Sequence, residues 1–188
     1  MPFPILSFRF QSDPSHFSAG YKVITTCSTH NFDYVKSLGA EKAFNYNDAD
    51  CGEQIRKYTN NNLKYAWDCI ALGDAIKICA DALTSGPGAK YASLLRNKFP
   101  REDVESTNTL AYSAFGEPFE KGFAKSEGEA KDYEFQAKTW IPVVEKLLAE
   151  GKIKVHKPRV RSGIENILDG LDELKNNKVS GEKLVYRL

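Results

Sequence analysis

Four consecutive polar residues, Ser28-Thr29-His30-Asn31, are the strongest candidates for binding chemistry in this sequence. They follow a β-branched run over residues 21–26 and precede a short helical pattern over residues 32–38, which Gly39 closes. β-Branched side chains favour a strand, Asn31 is of a type preferred at a helix N-cap, and glycine tolerates the left-handed backbone that ends helices. The sequence therefore predicts a strand, a polar turn and a helix. The turn lies at the carboxyl end of the strand, where open α/β sheets bind ligands.

The chemistry of this turn favours a phosphate over a pair of ribose hydroxyls. In sheets that bind NAD, an acidic residue at the end of the second strand accepts hydrogen bonds from the ribose. Residues 28–31 carry no carboxylate. Their hydroxyl, imidazole and amide groups leave room for an adenosine 2′-phosphate and can donate hydrogen bonds to it, assisted by the positive end of the helix dipole. We therefore expect NADPH in preference to NADH. The alternative is a capped loop that binds no ligand.

The composition excludes several classes of function. The 188 residues carry 26 basic and 25 acidic side chains, so no broad electrostatic field attracts nucleic acid or anionic lipid. A hydrophobic fraction of 41% is ordinary for one soluble domain. No apolar run reaches the roughly 20 residues of a membrane helix, and the amino terminus lacks the pattern of a secretory signal. Four widely spaced cysteines favour reduced thiols in the cytoplasm over a disulfide framework or a metal site: Cys27, Cys51, Cys69 and Cys79.

The rest of the chain alternates between strand and helix patterns, which predicts an α/β domain with a doubly wound, mostly parallel sheet. Strands are predicted at residues 43–46, 64–70 and 90–95, and helices at residues 51–58 and 74–83. Seven further elements are predicted: an extended strand at 104–113, a turn at 115–118, an exposed loop at 121–132, a helix at 140–148, an edge strand at 152–161, a helix at 164–174 and a last strand at 183–187.

The first 19 residues do not fit that alternation. Ile5, Phe8 and Phe10 could form a short strand, but only ten residues separate Phe10 from Tyr21. A crossover between parallel strands needs about a dozen residues or more. We therefore predict an irregular leader over residues 1–19.

No residue stands out as a catalytic acid, base or nucleophile. Histidines titrate near neutrality, but His16 lies in the leader and His156 in a basic run, so both are predicted to be solvated. The G-x-S-x-G, H-E-x-x-H and Walker patterns do not occur in the sequence. The catalytic residues therefore stay unassigned.

A series of motifs resembles a known family in both sequence and order. They are GYKVITTCSTHNFDYVKSLGA at 20–40, FNYND at 44–48, KYAWDCI at 64–70, AYSAFGEPF at 111–119 and ILDGLDELKNNKVSGEKLVYRL at 167–188. With these motifs the chain resembles the carboxyl-terminal half of the zinc-independent medium-chain dehydrogenase/reductases, which are related to the zinc-type alcohol dehydrogenases. Within that family it is most similar to the fungal trans-acting enoyl reductases of polyketide biosynthesis.

The resemblance implies a Rossmann-like domain with sites for NADPH and for an acyl substrate. It implies cofactor contacts at Ser28, Thr29, His30, Asn31, Tyr46, Ser93, Leu94, Val179 and Ser180. It also implies that Ala114-Phe115-Gly116-Glu117-Pro118 contacts the substrate, although a simple tight turn would explain the same residues.

The activity that the resemblance implies is hydride transfer from NADPH to the β-carbon of an α,β-unsaturated thioester. The thioester would be carried by a polyketide synthase in fungal secondary metabolism, which includes mycotoxin pathways. In such reactions the cofactor carries the chemistry, and the protein supplies orientation and electrostatics. Two other functions stay open: a non-catalytic remnant or docking module for a polyketide synthase, and a quinone or alcohol reductase of the same superfamily.

The sequence departs from the family pattern ahead of Gly20. Family members have a barrel-like domain there, followed by a first strand and a glycine-rich turn that cradles the pyrophosphate. We therefore expect residues 20–188 to form a truncated Rossmann-like domain followed by a carboxyl-terminal family segment. The first strand is central in the order 3-2-1-4-5-6, so residues 5–10 or another chain would have to take its place. Without the glycine cradle, turnover by this chain alone is not expected.

Overall fold

Six strands form one sheet in the larger of two compact units, which comprises Met1–Thr109 and His156–Leu188. The computed structural model describes residues 6–11, 21–108, 110–121, 124–126, 130–152 and 157–188. The strands are β1 (Leu6–Gln11), β2 (Tyr21–Cys27), β3 (Lys42–Asn45), β4 (Tyr65–Asp68), β5 (Lys90–Ser93) and β6 (Glu105–Asn108). Their order across the sheet is β3-β2-β1-β4-β5-β6. Neighbouring strands are parallel except where β1 takes part, so the carboxyl ends of β2 to β6 meet at one edge, the carboxyl edge.

Strand β1 occupies the central position and runs antiparallel to both of its neighbours. Leu6 lies opposite Thr26 of β2 and opposite Asp68 of β4. An antiparallel pair needs only a short connection, so the few residues between β1 and β2 are sufficient. Residues 6–11 thus fill the slot that the sequence left open, in the opposite direction to the other five strands. His16 lies outside the described residues.

Three helices connect the strands of this sheet: α1 (Phe32–Ser37), α2 (Cys51–Tyr58) and α3 (Asp74–Ala82). Helix α3 buries the face that its helical spacing predicts, with Ala75, Ile78, Cys79 and Ala82 all in the core. Helices α2 and α3 pack closely because Gly52 has no side chain. A Cβ atom there would lie 2.5 Å from Cβ of Asp81.

The core lies mainly on one face of the sheet. On that face, Ile24, Phe44, Ala66 and Tyr91 pack beneath α2 and α3. On the opposite face, Val35 of α1 packs on Cys27 and Ala43 of β2 and β3. This arrangement confirms the predicted α/β class and the mostly parallel sheet.

Arg101 caps the carboxyl end of α3. Its guanidinium group donates to the carbonyl oxygens of Ala80, Leu83 and Thr84 at 3.1, 2.9 and 2.8 Å. Arg56 donates to the first two of these carbonyls from α2. These bonds satisfy helix-terminal carbonyls with positive charge at the negative end of the helix dipole.

We expect Arg101→Ala to lower the free energy of unfolding by about 2 kcal/mol, because hydrogen bonds from a charged group contribute about 1.5–3 kcal/mol. Arg101→Lys should recover only part of this loss, since an ammonium group cannot reproduce the planar fork. Urea denaturation measures both variants. The exposed Arg96 supplies the control, Arg96→Ala, which should change stability by less than about 0.5 kcal/mol. Equal losses for Arg96→Ala and Arg101→Ala would contradict the capping role.

The larger unit also contains a second, two-stranded sheet. It pairs β9 (Lys157–Ser162) with β10 (Glu182–Arg187) in parallel, and helix α6 (Ile167–Lys175) connects them. Glu173 of α6 accepts hydrogen bonds from Arg159 and Arg161 of β9 at 2.5 and 2.7 Å, and these arginines lower the pKa of that carboxyl. The edge strand predicted at 152–161 overlaps β9 at residues 157–161. His156 lies outside the described residues.

The smaller unit, Leu110–Val155, has an irregular pattern. It contains a 3₁₀ helix at Ala111–Phe115, a hairpin of β7 (Phe119–Lys121) and β8 (Ala124–Ser126), and helices α4 (Ala130–Phe135) and α5 (Ile141–Ala149). Two predictions were wrong here. The strand predicted over 104–113 ends at Asn108, and the loop predicted over 121–132 contains parts of the hairpin and of α4. Short polar elements of this kind leave no periodic pattern in the sequence. Within the described residues, no helix has the length and apolar character needed to cross a bilayer.

Buried thiols make the stability of the fold sensitive to alkaline pH. Burial raises the pKa of Cys27 to about 11 and that of Cys51 to about 12, the latter with help from the negative charges of Asp48 and Asp50. In an unfolded chain a thiol ionises at about pH 8.5. Their contribution to the free energy of unfolding is therefore fully present below that pH. It is lost as the pH rises towards the raised pKa values of about 11 and about 12.

We expect the free energy of unfolding to fall between about pH 9 and pH 11, by up to about 1.4 kcal/mol per pH unit for each thiol. Urea denaturation at several pH values measures this slope. The double variant Cys27→Ala/Cys51→Ala should show a shallower slope, whatever its stability at neutral pH. An unchanged slope in the double variant would assign the alkaline loss to other groups.

Candidate functional site

A cluster of polar side chains lies at the carboxyl edge, where β2 and β3 end. Ser28 follows β2, and Tyr46 follows β3, its parallel neighbour. The Ser28 Oγ and Tyr46 hydroxyl oxygen are 2.9 Å apart and form a hydrogen bond. Two residues that are 18 positions apart in sequence thus present paired hydroxyl groups at one edge.

The second part of the cluster joins the turn after β2 to the loop that precedes β10. Nε2 of His30 and Oγ of Ser180 are 2.8 Å apart, within hydrogen-bond distance. Nδ2 of Asn31 lies 3.3 Å from Nε2 of His30 and donates to Oγ of Ser180 at 3.4 Å. Val179, which precedes Ser180 in this loop, is buried. The loop approaches so closely that a Cβ atom on Gly181, at φ +66°, would lie 3.1 Å from Oδ1 of Asn31.

The prediction of a capping role for the Asn31 side chain was wrong. Asn31 occupies the N-cap position of α1, but its side chain makes no capping hydrogen bond. The amide group turns instead to His30 and Ser180. Helix α1 is only six residues long, so its dipole adds little to the electrostatics of the turn.

Thr29 is exposed at the start of the 3₁₀ turn Thr29–Asn31. It lines an open cleft of about 720 Å³ beside β3. Lys42 and Lys57 bring positive charge to this cleft, and Asp48 brings negative charge.

Ser93 and Leu94 lie at the same edge, at the end of β5. Ser93 is buried and donates from Oγ to the carbonyl oxygen of Leu95 at 2.9 Å, while the Leu94 N–H donates to the Asp68 carbonyl oxygen at 3.2 Å. In the order of the sheet they are three strands from β2, a distance of about 14 Å at the usual strand spacing. The structure therefore brings the predicted cofactor residues to one edge in two groups.

Asp68, the most deeply buried charged residue at this edge, was not predicted from the sequence. It is 0% exposed, and its Oδ1 accepts from the N–H groups of Ile70 and Ala71 at 2.9 and 2.7 Å. Its Oδ2 accepts from the hydroxyl of Tyr91 at 3.0 Å, and Asn97 donates to that hydroxyl at 3.0 Å. Burial and then the charge of Asp68 raise the pKa of Tyr91. An aspartate at the end of an apolar strand is the sequence signal that could have identified this network.

The predicted substrate segment, residues 114–118, lies in the smaller unit. It spans the end of the 3₁₀ helix and a left-handed turn at Gly116, where φ is +69°. A Cβ atom on Gly116 would lie 2.7 Å from Cβ of Tyr133, so the turn requires glycine. Ala114 is half-buried, Phe115 is 69% exposed, and Glu117 and Pro118 are exposed. The geometry is that of a tight turn with an exposed aromatic ring, and a substrate contact stays a prediction.

The residues of the polar cluster have the chemistry that a 2′-phosphate requires. Hydroxyl, imidazole and amide groups can all donate hydrogen bonds, and the five clustered side chains carry no carboxylate: Ser28, His30, Asn31, Tyr46 and Ser180. Among the residues that the structure describes, no three His, Cys, Asp or Glu side chains are grouped so that they could hold a metal ion.

Comparisons with known proteins relate this chain to a family of dehydrogenases and reductases. A sequence profile of the family described as "zinc-binding dehydrogenase" matches residues 17–92. The trans-enoyl reductase ACTTS2 of Alternaria alternata is 44% identical over 171 residues, which cover 90% of this chain and 48% of that protein. The dual trans-enoyl reductase/FAD-dependent monooxygenase tazHJ of Aspergillus terreus is 40% identical over 185 residues, which cover 94% of this chain and 26% of that protein. The chain thus spans about half or less of the length of these relatives.

Solved structures agree on the fold. A quinone oxidoreductase of Pseudomonas syringae superposes with a TM-score of 0.65 at 16% identity, over 89% of this chain and 49% of that one. CurA of Vibrio vulnificus, solved in complex with NADPH, superposes with a TM-score of 0.57 at 18% identity, over 87% of this chain and 48% of that one. The chain therefore matches the Rossmann-like, carboxyl-terminal part of the medium-chain dehydrogenase/reductases, and its sequence is similar to those of fungal trans-enoyl reductases.

Proposed function

We propose that this chain is the cofactor-binding part of an NADPH-dependent, trans-acting enoyl reductase. Its substrate would be an α,β-unsaturated polyketide thioester carried by a synthase. The observation that carries the proposal is the cluster of neutral hydrogen-bond donors at the end of β2. The names of the relatives, which are trans-enoyl reductases, support the same activity.

In this proposal, the paired hydroxyls of Ser28 and Tyr46 and the imidazole of His30 hold the adenosine 2′-phosphate. Ser180 positions His30 through their hydrogen bond. Ser93 and Leu94 lie about 14 Å along the edge from the end of β2. At that distance they could contact the nicotinamide end of an extended dinucleotide whose 2′-phosphate lies at the end of β2. Bound nicotinamide supplies the hydride chemistry, and the chain supplies position and electrostatics.

Recognition of the 2′-phosphate can be tested apart from turnover. In calorimetric titrations, adenosine 2′,5′-bisphosphate should bind at least about tenfold more tightly than adenosine 5′-monophosphate, which corresponds to about 1.4 kcal/mol. Ser180→Ala should reduce that ratio, because it releases His30. Ser106→Ala, at an exposed serine on β6, is the matched control and should leave the ratio unchanged. Equal affinities for the two nucleotides would contradict the proposal.

The hydride acceptor separates the proposed activity from the related reductases. If this chain oxidises NADPH, an unsaturated acyl thioester of pantetheine should be a better acceptor than a quinone or an aldehyde, as measured by the loss of NADPH absorbance. If the quinone is the better acceptor, the chain belongs to a quinone reductase. If no acceptor is reduced although the bisphosphate binds, the chain binds the cofactor but does not catalyse the reaction by itself.

A further inference from the structure

A short loop at the carboxyl edge is held by hydrogen bonds from its own side chains. Strand β5 ends at Ser93, and we call the next four residues, 94–97, the β5 loop. The carbonyl oxygen of Leu95 accepts from Oγ of Ser93 at 2.9 Å and from Nδ2 of Asn97 at 3.2 Å. The residues on both sides of Leu95 are therefore tied to one carbonyl group in the middle of the loop.

The amide group of Asn97 also connects the β5 loop to the buried carboxylate of Asp68. Nδ2 of Asn97 donates to the hydroxyl oxygen of Tyr91 at 3.0 Å, and that hydroxyl donates to Oδ2 of Asp68 at 3.0 Å. The amide orientation follows from its second partner, because the carbonyl oxygen of Leu95 can only accept. The hydrogen bonds therefore run in one direction, from Asn97 through Tyr91 to Asp68.

Both partners of the loop are rigid parts of the sheet. Tyr91 is fully buried, and its ring stacks on that of Phe99 with the centroids 4.2 Å apart. A ring that is packed in the core has one position, so its hydroxyl is a fixed point for Asn97. The backbone carbonyl oxygen of Asp68 accepts from the Leu94 N–H at 3.2 Å. The main chain and the side chain of Asp68 thus both hold the β5 loop against β4.

The accessible surface of the β5 loop is apolar. Leu94 and Leu95 are both exposed, directly after a strand in which Tyr91 and Ser93 are buried. Leucine side chains make no hydrogen bonds, so their position depends on the backbone and on the network that fixes it. In the proposed function this part of the edge lies at the nicotinamide end of the cofactor. The two leucines there offer a flat ring an apolar surface of defined position.

We propose that Asn97 is a positioning residue for the nicotinamide half of the cofactor, and that it acts by fixing the β5 loop on Tyr91. The inference rests on the proposed function, because the cofactor must extend from the polar cluster to the end of β5. Asn97 does not contact the cofactor in this proposal, since its NH₂ group is bonded to Tyr91 and Leu95. Without that group, the Leu95 carbonyl would keep only the bond from Ser93. Binding would then have to order the loop, and ordering a loop on binding reduces affinity.

Two ligands separate the halves of the cofactor in calorimetric titrations. NADPH contains both halves and adenosine 2′,5′-bisphosphate only one, so the ratio of their affinities measures what the nicotinamide half adds. Asn97→Leu keeps the size of the side chain and removes the NH₂ group. Oδ1 of Asn97 is buried and makes no hydrogen bond within the described residues, so the loss acts through the NH₂ group. The ratio should fall at least about fivefold, while the bisphosphate affinity stays within about twofold.

Three other variants show whether the effect belongs to this network. Asn62→Leu makes the same change at an exposed asparagine ahead of β4 and should leave the ratio unchanged. Asn97→Gln keeps an NH₂ group on a longer side chain and should restore part of the ratio. Tyr91→Phe keeps the ring and removes the hydroxyl. The double variant Tyr91→Phe/Asn97→Leu should lose little more than either single variant, because both substitutions break the same hydrogen bond.

Amide hydrogen exchange tests the position of the β5 loop without any ligand. The Leu94 N–H, which is bonded to the Asp68 carbonyl oxygen, reports whether the loop stays against β4. It should exchange at least about threefold faster in Asn97→Leu than in the natural chain, because the loop opens more often. In Asn62→Leu it should exchange at the natural rate.

Several results would overturn this inference and leave the proposed function standing. They are an unchanged affinity ratio in Asn97→Leu, unchanged exchange at Leu94, and a natural chain that binds NADPH no more tightly than the bisphosphate. An equal loss of affinity for both ligands in Asn97→Leu would also overturn it, since that pattern indicates general destabilisation. If the natural chain did not bind the bisphosphate at all, the proposed function would be contradicted, and this inference with it.

Discussion

Asp68→Ala should lower the free energy of unfolding by about 3–5 kcal/mol, the largest loss that we expect from any single substitution in this chain. The carboxylate is fully buried and accepts three hydrogen bonds, from the N–H groups of Ile70 and Ala71 and from the hydroxyl of Tyr91. Alanine leaves these donors without a partner, and each buried unsatisfied group costs about 1–3 kcal/mol. Urea denaturation at neutral pH measures the loss.

Asp68→Asn is the matched variant. The amide oxygen of the new asparagine can still accept from the N–H groups of Ile70 and Ala71. Its NH₂ group faces the hydroxyl of Tyr91, which already accepts a hydrogen bond from Asn97. We expect a smaller loss, about 1–2 kcal/mol. If Asp68→Ala were as stable as the natural chain to within about 1 kcal/mol, the carboxylate would not organise this edge of the sheet.

Ser28→Asp should reverse the nucleotide preference of the polar cluster. The new carboxylate would lie where the 2′-phosphate is proposed to bind, and two unit charges about 4 Å apart repel by about 4 kcal/mol at a protein surface. Even half of that energy, about 2 kcal/mol, lowers affinity about 30-fold. Affinity for adenosine 2′,5′-bisphosphate should therefore fall by about this factor, while affinity for adenosine 5′-monophosphate should not fall.

Ser28→Asn separates charge from bulk in this experiment. Asparagine has nearly the shape of aspartate but keeps a neutral donor, so the bisphosphate should lose less than about fivefold in affinity. Calorimetry with both nucleotides provides the comparison. Similar losses for the aspartate and asparagine variants would assign the effect to crowding beside Tyr46 and not to repulsion.

Elements with a strong local pattern were predictable from the sequence. The helix predicted at residues 51–58 has the same bounds as α2, and the β-branched run at 21–26 forms most of β2. Both are specified by residues close together in the chain, through apolar periodicity and β-branching. The resemblance to a family was confirmed by the comparisons, and it identified residues that the structure then brings to one edge.

Features that depend on distant contacts were not predictable. The side chain of Asn31 gives up its capping role because Ser180, 149 positions later, offers a partner. The burial of Asp68 depends on Tyr91 of the next strand. The direction of β1 depends on the length of its connection to β2, and the sequence showed only that a parallel arrangement was unsuited to that length. The roles of the clustered residues in binding NADPH stay predictions.

The antiparallel pairing of β1 and β2 also bears on the order in which the chain folds. The pair closes over a short stretch of sequence, whereas β4 and β5 pair only after the chain has passed through α3. Hairpins form within about 1–10 μs, and pairings between distant segments are slower because more chain entropy is lost before contacts form. The β1–β2 hairpin is therefore expected to form early and to offer its free edge as the template on which β4 is later added.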